Sequence, residues 1–315
     1  MKDLFDREID YLRISITDLC NLRCEYCMPS KGVNKLSHED IISPERIQEI
    51  VLEAVKLGIK KIRITGGEPL IRKGVFEIIS LIRKIPEIEE ICLTTNGLLL
   101  EEYAQKLKDL GVNRLNISLD TLNENKYKLL TRGGDLAKVI RGIIKAKEVG
   151  FNNIKINAVS LKNINDDEML DFVNFAKTYD LEVRFIELMP IGEGKNMFND
   201  YFLSNESLYK RIISEIEDES ISGVSRLYKL KGGKGKIGFI SPLSNSFCSS
   251  CSRIRLTSDG KIKPCLHSNY EIDLNSLHGD DLLEALKNSI LAKPKEHSLL
   301  KDGSKSLREM YKIGG

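Results

Sequence analysis

The sequence has almost no net charge. Among its 315 residues, 48 Lys and Arg stand against 46 Asp and Glu, leaving +2. A nucleic-acid-binding domain is usually strongly basic, and a disordered chain combines low hydrophobicity with high net charge. At 41% hydrophobic residues neither class fits, so a globular chain without nucleic acid as its partner is expected. Long apolar runs are missing too. The longest stretches, such as 75–82, are interrupted by Glu, Ser or Arg, well short of the roughly 20 residues of a membrane span. The N-terminal MKDLFDREID is charged throughout and offers no apolar core for a secretory signal, which predicts a cytoplasmic protein with no membrane partner. Repeats of fixed period and low-complexity tracts are also absent.

Seven cysteines are present. A cytoplasmic compartment keeps thiols reduced, and an odd count defeats full pairing. Six of the seven fall into two groups of three, which points to metal or cluster ligation.

From residue 11 to about 187, short β-branched runs alternate with helical patterns. Strands are expected at 12–17, 61–65, 91–95, 114–119, 155–159 and 182–187. Ser43-Pro44 reads as an N-cap followed by Pro in the first turn, and Gly58 ends that helix. A helix is expected from 135 to 149, and another opens at Asn165-Asp166. Six strand–helix units in series predict an α/β chain with a parallel sheet. These strands are not uniformly apolar, as doubly covered strands should be. Arg13 and Ser15 share one face, as do Arg63 and Thr65, Asn116 and Ser118, Lys155 and Asn157, and Glu182 and Arg184. Surface strands would explain any one of these. Five together favour a curled sheet around a polar lumen lined by Arg13, Arg63, Lys155 and Arg184, with the chemistry at the carboxyl ends. Lys155 and Arg63 are read as buried cations without an anionic partner, held for a substrate. After about 203 the alternation stops. A helix is expected over 206–217, then a hairpin turn at KGGKGK (231–236), and a last helix over 280–291.

Cys20-x3-Cys24-x2-Cys27 follows the first strand directly. Three thiolates from one loop can hold three corners of a 4Fe–4S cube, which takes four ligands when fully protein-bound. With no fourth cysteine nearby, one iron is open to another ligand. A structural zinc site usually closes with four. Cys248-x2-Cys251-x13-Cys265 repeats the three-thiolate logic, and His267 is an alternative fourth ligand for zinc there.

CNLRCEYC, with ITGGEP on the second strand, resembles the signature of radical S-adenosylmethionine (SAM) enzymes. LRISITDLC, LTTNGLLL, LNISLD, VRFIELMP, FCSSCSRIRLTSDGKIKPCL and the Gly-Gly end extend the likeness along the chain, to the GTP 3′,8-cyclases of molybdenum cofactor biosynthesis. The resemblance implies an incomplete, TIM-like (β/α)6 barrel over 1–220. A smaller C-terminal domain, 221–315, would carry the second cluster. It implies a first 4Fe–4S cluster on Cys20, Cys24 and Cys27 and a second on Cys248, Cys251 and Cys265, the latter binding the purine. It also implies SAM contacts at Tyr26, Gly67, Ser118 and Met189, and GTP contacts at Arg13, Arg63, Thr94, Lys155, Arg253, Ile254 and Arg255. Arg253, Arg255 and a tail ending in Gly314 and Gly315 would complete the catalytic site. Leu19 and Ile254 depart from the family's usual Arg and Ala. The implied reaction converts GTP to (8S)-3′,8-cyclo-7,8-dihydroguanosine 5′-triphosphate. The implied partners are a flavodoxin- or ferredoxin-type electron donor, a downstream cyclic pyranopterin monophosphate synthase, and a second copy in a homodimer. Rival readings are a radical peptide-modifying enzyme and a zinc-stabilised nucleic-acid-binding module. Beside these, Cys92 is expected to be a buried small hydrophobe. Asp120 is expected to cap the next helix, with orienting cofactor groups as the alternative, and His38, His278 and His297 to be isolated surface or loop residues.

Overall fold

A computed structural model describes residues 1–33, 40–299 and 303–314. Six parallel strands follow in chain order: β1 (Tyr11–Ser15), β2 (Lys61–Thr65), β3 (Glu90–Thr95), β4 (Arg114–Ser118), β5 (Ile154–Ser160) and β6 (Glu182–Glu187). Helices cover the outer face. The first, α1 (Pro44–Lys56), starts where the Ser43 side chain accepts the Arg46 N–H. It buries Ile47, Ile50, Val51 and Ala54, and stops at Gly58, whose φ of +91° suits glycine. The helix expected over 135–149 is Leu136–Glu148, with the Asp135 side chain accepting the Lys138 N–H at its start.

Odd and even strand positions divide the molecule. Leu12, Ile14, Ile62, Ile64, Leu115, Ile117 and Ile156 are fully buried between sheet and helices. Their neighbours along each strand face the concave side, so the alternation does mark a polar lumen.

The C-terminal region differs from a cap laid over the barrel mouth. Its strands extend the six-stranded sheet at both flanks. β9 (Lys236–Ile240) pairs parallel with β6, and the hairpin partner β8 (Ser225–Leu230) and edge strand β7 (Ile216–Ser222) follow. On the other flank β10 (Arg253–Leu256) pairs parallel with β1, followed by β11 (Lys261–Lys263) and β12 (Ile272–Asp273). Among the described residues the sheet has twelve strands, from β12 at one edge to β7 at the other. The KGGKGK segment is the β8–β9 turn, as its composition predicts. Two elements are corrected. The helix expected over 206–217 is Asn205–Ile212, and the acidic stretch after it is the exposed edge strand β7. The helix expected from Asn165 begins at Met169. Asn165 is instead drawn into the turn, where its amide donates to the carbonyls of Asp120 and Val159.

Candidate active site

The lumen is built from strand register. Arg255, Arg13 and Arg63 are directly opposite one another on β10, β1 and β2, at the spacing of neighbouring strands, about 5 Å. All three are buried. Like charges side by side disfavour one another. Burial, then Arg255 and Arg63, holds Arg13 below its ordinary range, and burial with Arg253 lowers Arg255 to about 10. Arg63 donates to the Tyr11 hydroxyl at 2.5 Å and to Thr94 Oγ1 at 3.4 Å. On the far side Lys155 stands between Asn116 and Glu182 in register. The Glu182 carboxylate accepts from Lys155 at 3.2 Å and also pairs with Arg184. The expectation of a Lys155 without an anionic partner is therefore corrected: one carboxylate serves two buried cations. Burial and Arg184 still outweigh it, lowering Lys155 to about 8.

At the carboxyl ends of the strands lies the first cysteine loop. Glycine decides its position. The Gly67 N–H donates to the Thr17 carbonyl at 2.7 Å, and a Cβ at Gly67 would stand 2.2 Å from the Leu19 carbonyl oxygen. The two glycines thus make room for the chain's own 17–19 backbone, immediately before Cys20. Glu68 follows, donating its N–H to the Leu19 carbonyl, while its carboxylate accepts from Leu70 N, Thr95 Oγ1 and Asn96 N. Burial pushes Glu68 up to about 7 despite these bonds. Asn96 in turn contacts Cys20 Sγ at 3.8 Å. Tyr26 donates to Asp120 at 2.8 Å, and the other oxygen of Asp120 accepts the Val159 N–H. Asp120 is therefore a brace under the loop, with its carboxyl pushed up to about 6 by burial. It does not cap the next helix, a role that Asn123 fills. Ser118, at the end of β4, is on the lumen face of this brace, and Met189 lies in the turn after β6, its carbonyl bonded to Ile191 N–H.

Burial raises Cys20 to about 11 and Cys27 to about 12, and lifts Cys24 well above the usual thiol range, with Cys27 and Cys20 also raising Cys24 and Cys20 raising Cys27. Thiolates that repel one another in a buried loop suit a cationic metal core. Among the described residues no three His, Cys, Asp or Glu side chains are grouped as a single ion requires. Cys20, Cys24, Cys27, Cys248, Cys251 and Cys265 are free thiols, and three such soft donors from one segment suit a 4Fe–4S cube, so the donor sets fit clusters.

The second triad occupies the opposite end of the sheet. Cys251 precedes β10, which runs parallel to β1, and Cys265 follows the antiparallel β11. Both therefore lie at the amino ends of the barrel strands. The row of buried arginines crosses the sheet between the two ends, which a five-residue strand separates by about 15 Å. Burial would raise these thiols, but His297 and Ser246 bring Cys248 to about 7, and Arg253 with Lys293 brings Cys251 to about 6. His297 is thus no isolated surface residue. Its ring packs on His267 at 4.8 Å, and His278 bonds Glu49. His38 lies outside the described residues. Arg253 lies over the Phe247 ring at 5.4 Å. Ile254 is fully buried on the core face opposite Leu12, so only its backbone reaches the lumen. Cys92 is buried as expected, though in register with Arg63 on the polar face.

The tail enters the same lumen. After a short helix, Met310–Ile313, the carbonyls of Ile313 and Gly314 accept from Arg255 at 3.4 and 2.5 Å. Gly314 adopts φ +74°, and a Cβ there would stand 2.5 Å from the Thr65 methyl carbon. Gly315 lies outside the described residues.

A family profile described as Radical SAM superfamily matches residues 14–176, and one described as Molybdenum Cofactor Synthesis C matches 181–299. The GTP 3′,8-cyclase of Alkaliphilus oremlandii is 49% identical over 320 residues, covering all of both chains, and that of Petrotoga mobilis is 46% identical over 323. The chain belongs to the GTP 3′,8-cyclase family of radical SAM proteins. Solved structures share the fold at low identity. Streptococcus suis SuiB bound to S-adenosylmethionine is 15% identical with a TM-score of 0.64, covering 97% of this chain and 77% of that one. AnSMEcpe with bound AdoMet is 17% identical with a TM-score of 0.58, covering 90% and 81%.

Three members of this radical SAM site escaped sequence reading. Arg114 was passed over although it continues the Arg13–Arg63–Cys92 row onto β4, a position its strand parity reveals. Glu182 was placed on the lumen face but given no role. Asn96, within the TTN run, carries no signal that it turns back to Cys20.

Proposed function

We infer that this chain is a GTP 3′,8-cyclase, converting GTP to (8S)-3′,8-cyclo-7,8-dihydroguanosine 5′-triphosphate in the first step of molybdenum cofactor biosynthesis. The observation that carries it is the lumen itself: a row of buried arginines suspended between two cysteine triads at opposite ends of one sheet. A triphosphate is the kind of ligand that several Arg and Lys side chains grip with charge-assisted bonds. In this reading Cys20, Cys24 and Cys27 hold one 4Fe–4S cluster and Cys248, Cys251 and Cys265 the other. Two clusters and SAM supply the one-electron chemistry that generates a carbon radical.

The chain's own residues bind and orient. Arg13, Arg63, Thr94, Lys155, Arg253 and Arg255 face the triphosphate and ribose, with Ile254 offering only its main chain. In this reading Tyr26, Gly67, Ser118 and Met189 would contact SAM beside the first triad. Asp120 fixes Tyr26 by accepting a hydrogen bond from its hydroxyl. Gly314, whose carbonyl accepts from Arg255, would bring the Gly-Gly end to the lumen to complete the site. Residues 1–220 form the catalytic barrel in this reading, and 221–315 carry the second cluster and the tail. A flavodoxin- or ferredoxin-type electron donor, a downstream cyclic pyranopterin monophosphate synthase, a homodimer and a cytoplasmic setting complete the proposal. Among the described residues no helix is long and apolar enough to cross a membrane.

The test is anaerobic reconstitution followed by incubation with GTP, SAM and dithionite. About eight iron and eight sulfide per chain are expected from two 4Fe–4S clusters, together with the cyclised nucleotide. Cys20→Ala should abolish SAM cleavage, whereas Cys265→Ala should retain uncoupled cleavage and lose cyclisation. A Cys265 variant with full cyclase activity overturns the assignment of the second triad. Zinc without sulfide overturns the whole reading.

A further inference from the structure

Two buried cations outside the lumen converge on the second cysteine triad. The first is Arg7, in the segment before β1. Its Nε donates to Asp3 at 2.6 Å, Nη1 donates to the carbonyls of Cys248 at 2.8 Å and Lys295 at 3.0 Å, and Nη2 donates to that of Pro294 at 2.7 Å. Asp3 is itself fixed, because its other oxygen accepts the Phe5 and Arg7 N–H groups. The second cation is Lys293, in the turn after the helix Gly279–Leu291 (α9). Its ammonium donates to the carbonyls of Arg253 at 2.8 Å and Pro264 at 3.0 Å. Arg253 lies two residues after Cys251, and Pro264 immediately before Cys265.

The three residues 293–295 therefore form a hub. Through Arg7 they are tied to the main chain at Cys248, and through Lys293 to the main chain beside Cys251 and Cys265. Both side chains are buried, Arg7 at 7% exposure and Lys293 at 3%. A buried charge is costly unless something nearby repays its desolvation. Three thiolates carrying a cluster are net negative, and groups behind the first ligands orient them and tune the centre.

We propose that Arg7 and Lys293 are positioning residues for the second cluster, a brace across the 293–295 turn that sets the spacing of Cys248 against Cys251 and Cys265. The proposal rests on the reading of that triad as a cluster site. The N-terminal segment is thereby part of the substrate end of the barrel, although it lies some 240 residues away in sequence.

The full chain carrying Arg7→Met, Lys293→Met or both is reconstituted anaerobically beside Cys248→Ala. Iron and sulfide are counted, and the electron paramagnetic resonance spectrum of the reduced protein is recorded with and without GTP. Each single variant is expected to shift the second-cluster signal and raise the KM for GTP while leaving uncoupled SAM cleavage at the wild-type rate. The double variant is expected to fall from about eight iron to about four. Arg7→Lys, which keeps the charge but loses the fork, is expected to sit between wild type and Arg7→Met. Unchanged second-cluster spectra in both single variants overturn the brace, and they decide the matter alone if the double variant does not fold. Cys248→Ala separates the two failures: retention of all its iron would sink the triad reading, not the brace.

Discussion

The Glu182 carboxylate is shared by the Lys155 ammonium and the Arg184 guanidinium, and the proton affinity of Lys155 records the contest. Its folded value of about 8 lies below the ordinary 10.5, chiefly through burial and then Arg184. Between these limits the unfolded chain binds more protons than the folded one, so the substrate-free protein gains stability from this group as pH rises. That contribution is complete above 10.5 and lost as pH falls through 8. Polyanion binding works in the opposite sense, because a triphosphate favours the charged ammonium. GTP affinity is expected to fall as pH rises past about 8, with proton uptake on binding. Titration calorimetry at pH 8.5 in two buffers of different ionisation heat checks this, and equal heats would refute it. Lys155→Met should weaken GTP binding about 10- to 100-fold, the worth of a bond to a charged group at roughly 1.5–3 kcal/mol. Glu182 keeps Arg184 in that variant, so the melting temperature should move little. Gly67→Ala is the opposite case. Its new methyl meets backbone at Leu19 and Asp18, which cannot swing aside, and an overpacked site costs about 1–3 kcal/mol. Iron content should drop towards one cluster, whereas a variant with both clusters intact would show that the 17–19 loop yields.

At the scale of elements, the tail is held at two points. Arg308 donates to both carboxylates of Asp259 and Glu271 at 2.8–2.9 Å, and six residues later Arg255 holds Gly314. Deleting Gly314 and Gly315 is expected to leave both clusters and the melting temperature intact while GTP cyclisation falls sharply. A peptide of the last residues, supplied in trans, should restore part of the rate. Full cyclisation by the truncated chain would reduce the tail to an ordinary frayed end. The six barrel strands were legible because apolar and polar residues alternate across a half-buried surface, and their bounds agree within a residue or two. β7 was hidden because an edge strand open to solvent needs no apolar face, so IEDESIS reads as a charged loop. Asp120 was misjudged because its partners, Tyr26 and Val159 N–H, are distant in sequence. The cysteine spacing groups the thiols into two triads, but nothing local tells that one triad lies at the carboxyl ends and the other at the amino ends. That depends on which way β10 runs.

For the molecule as a whole, the two outer strands of the barrel sheet are paired by strands from beyond residue 220, β1 by β10 and β6 by β9. A fragment comprising 1–220 would leave the hydrogen-bonding edges of β1 and β6 open, and exposed edges invite association with other chains. Expressed alone, it is expected to lack a cooperative thermal transition and to aggregate. A soluble fragment with its own sharp melt would show the barrel to be autonomous.

The pairing of β1 with β10 also sets a timetable. At about 5–20 residues per second of synthesis, roughly 12–50 s separate the emergence of these two strands from the ribosome. Throughout that interval the first cysteine loop hangs from a strand with no neighbour on one side. Cluster delivery during translation would meet a half-walled cavity open to oxygen and to stray metals. The sheet's topology therefore favours loading after release, when one finished chain offers both triads together.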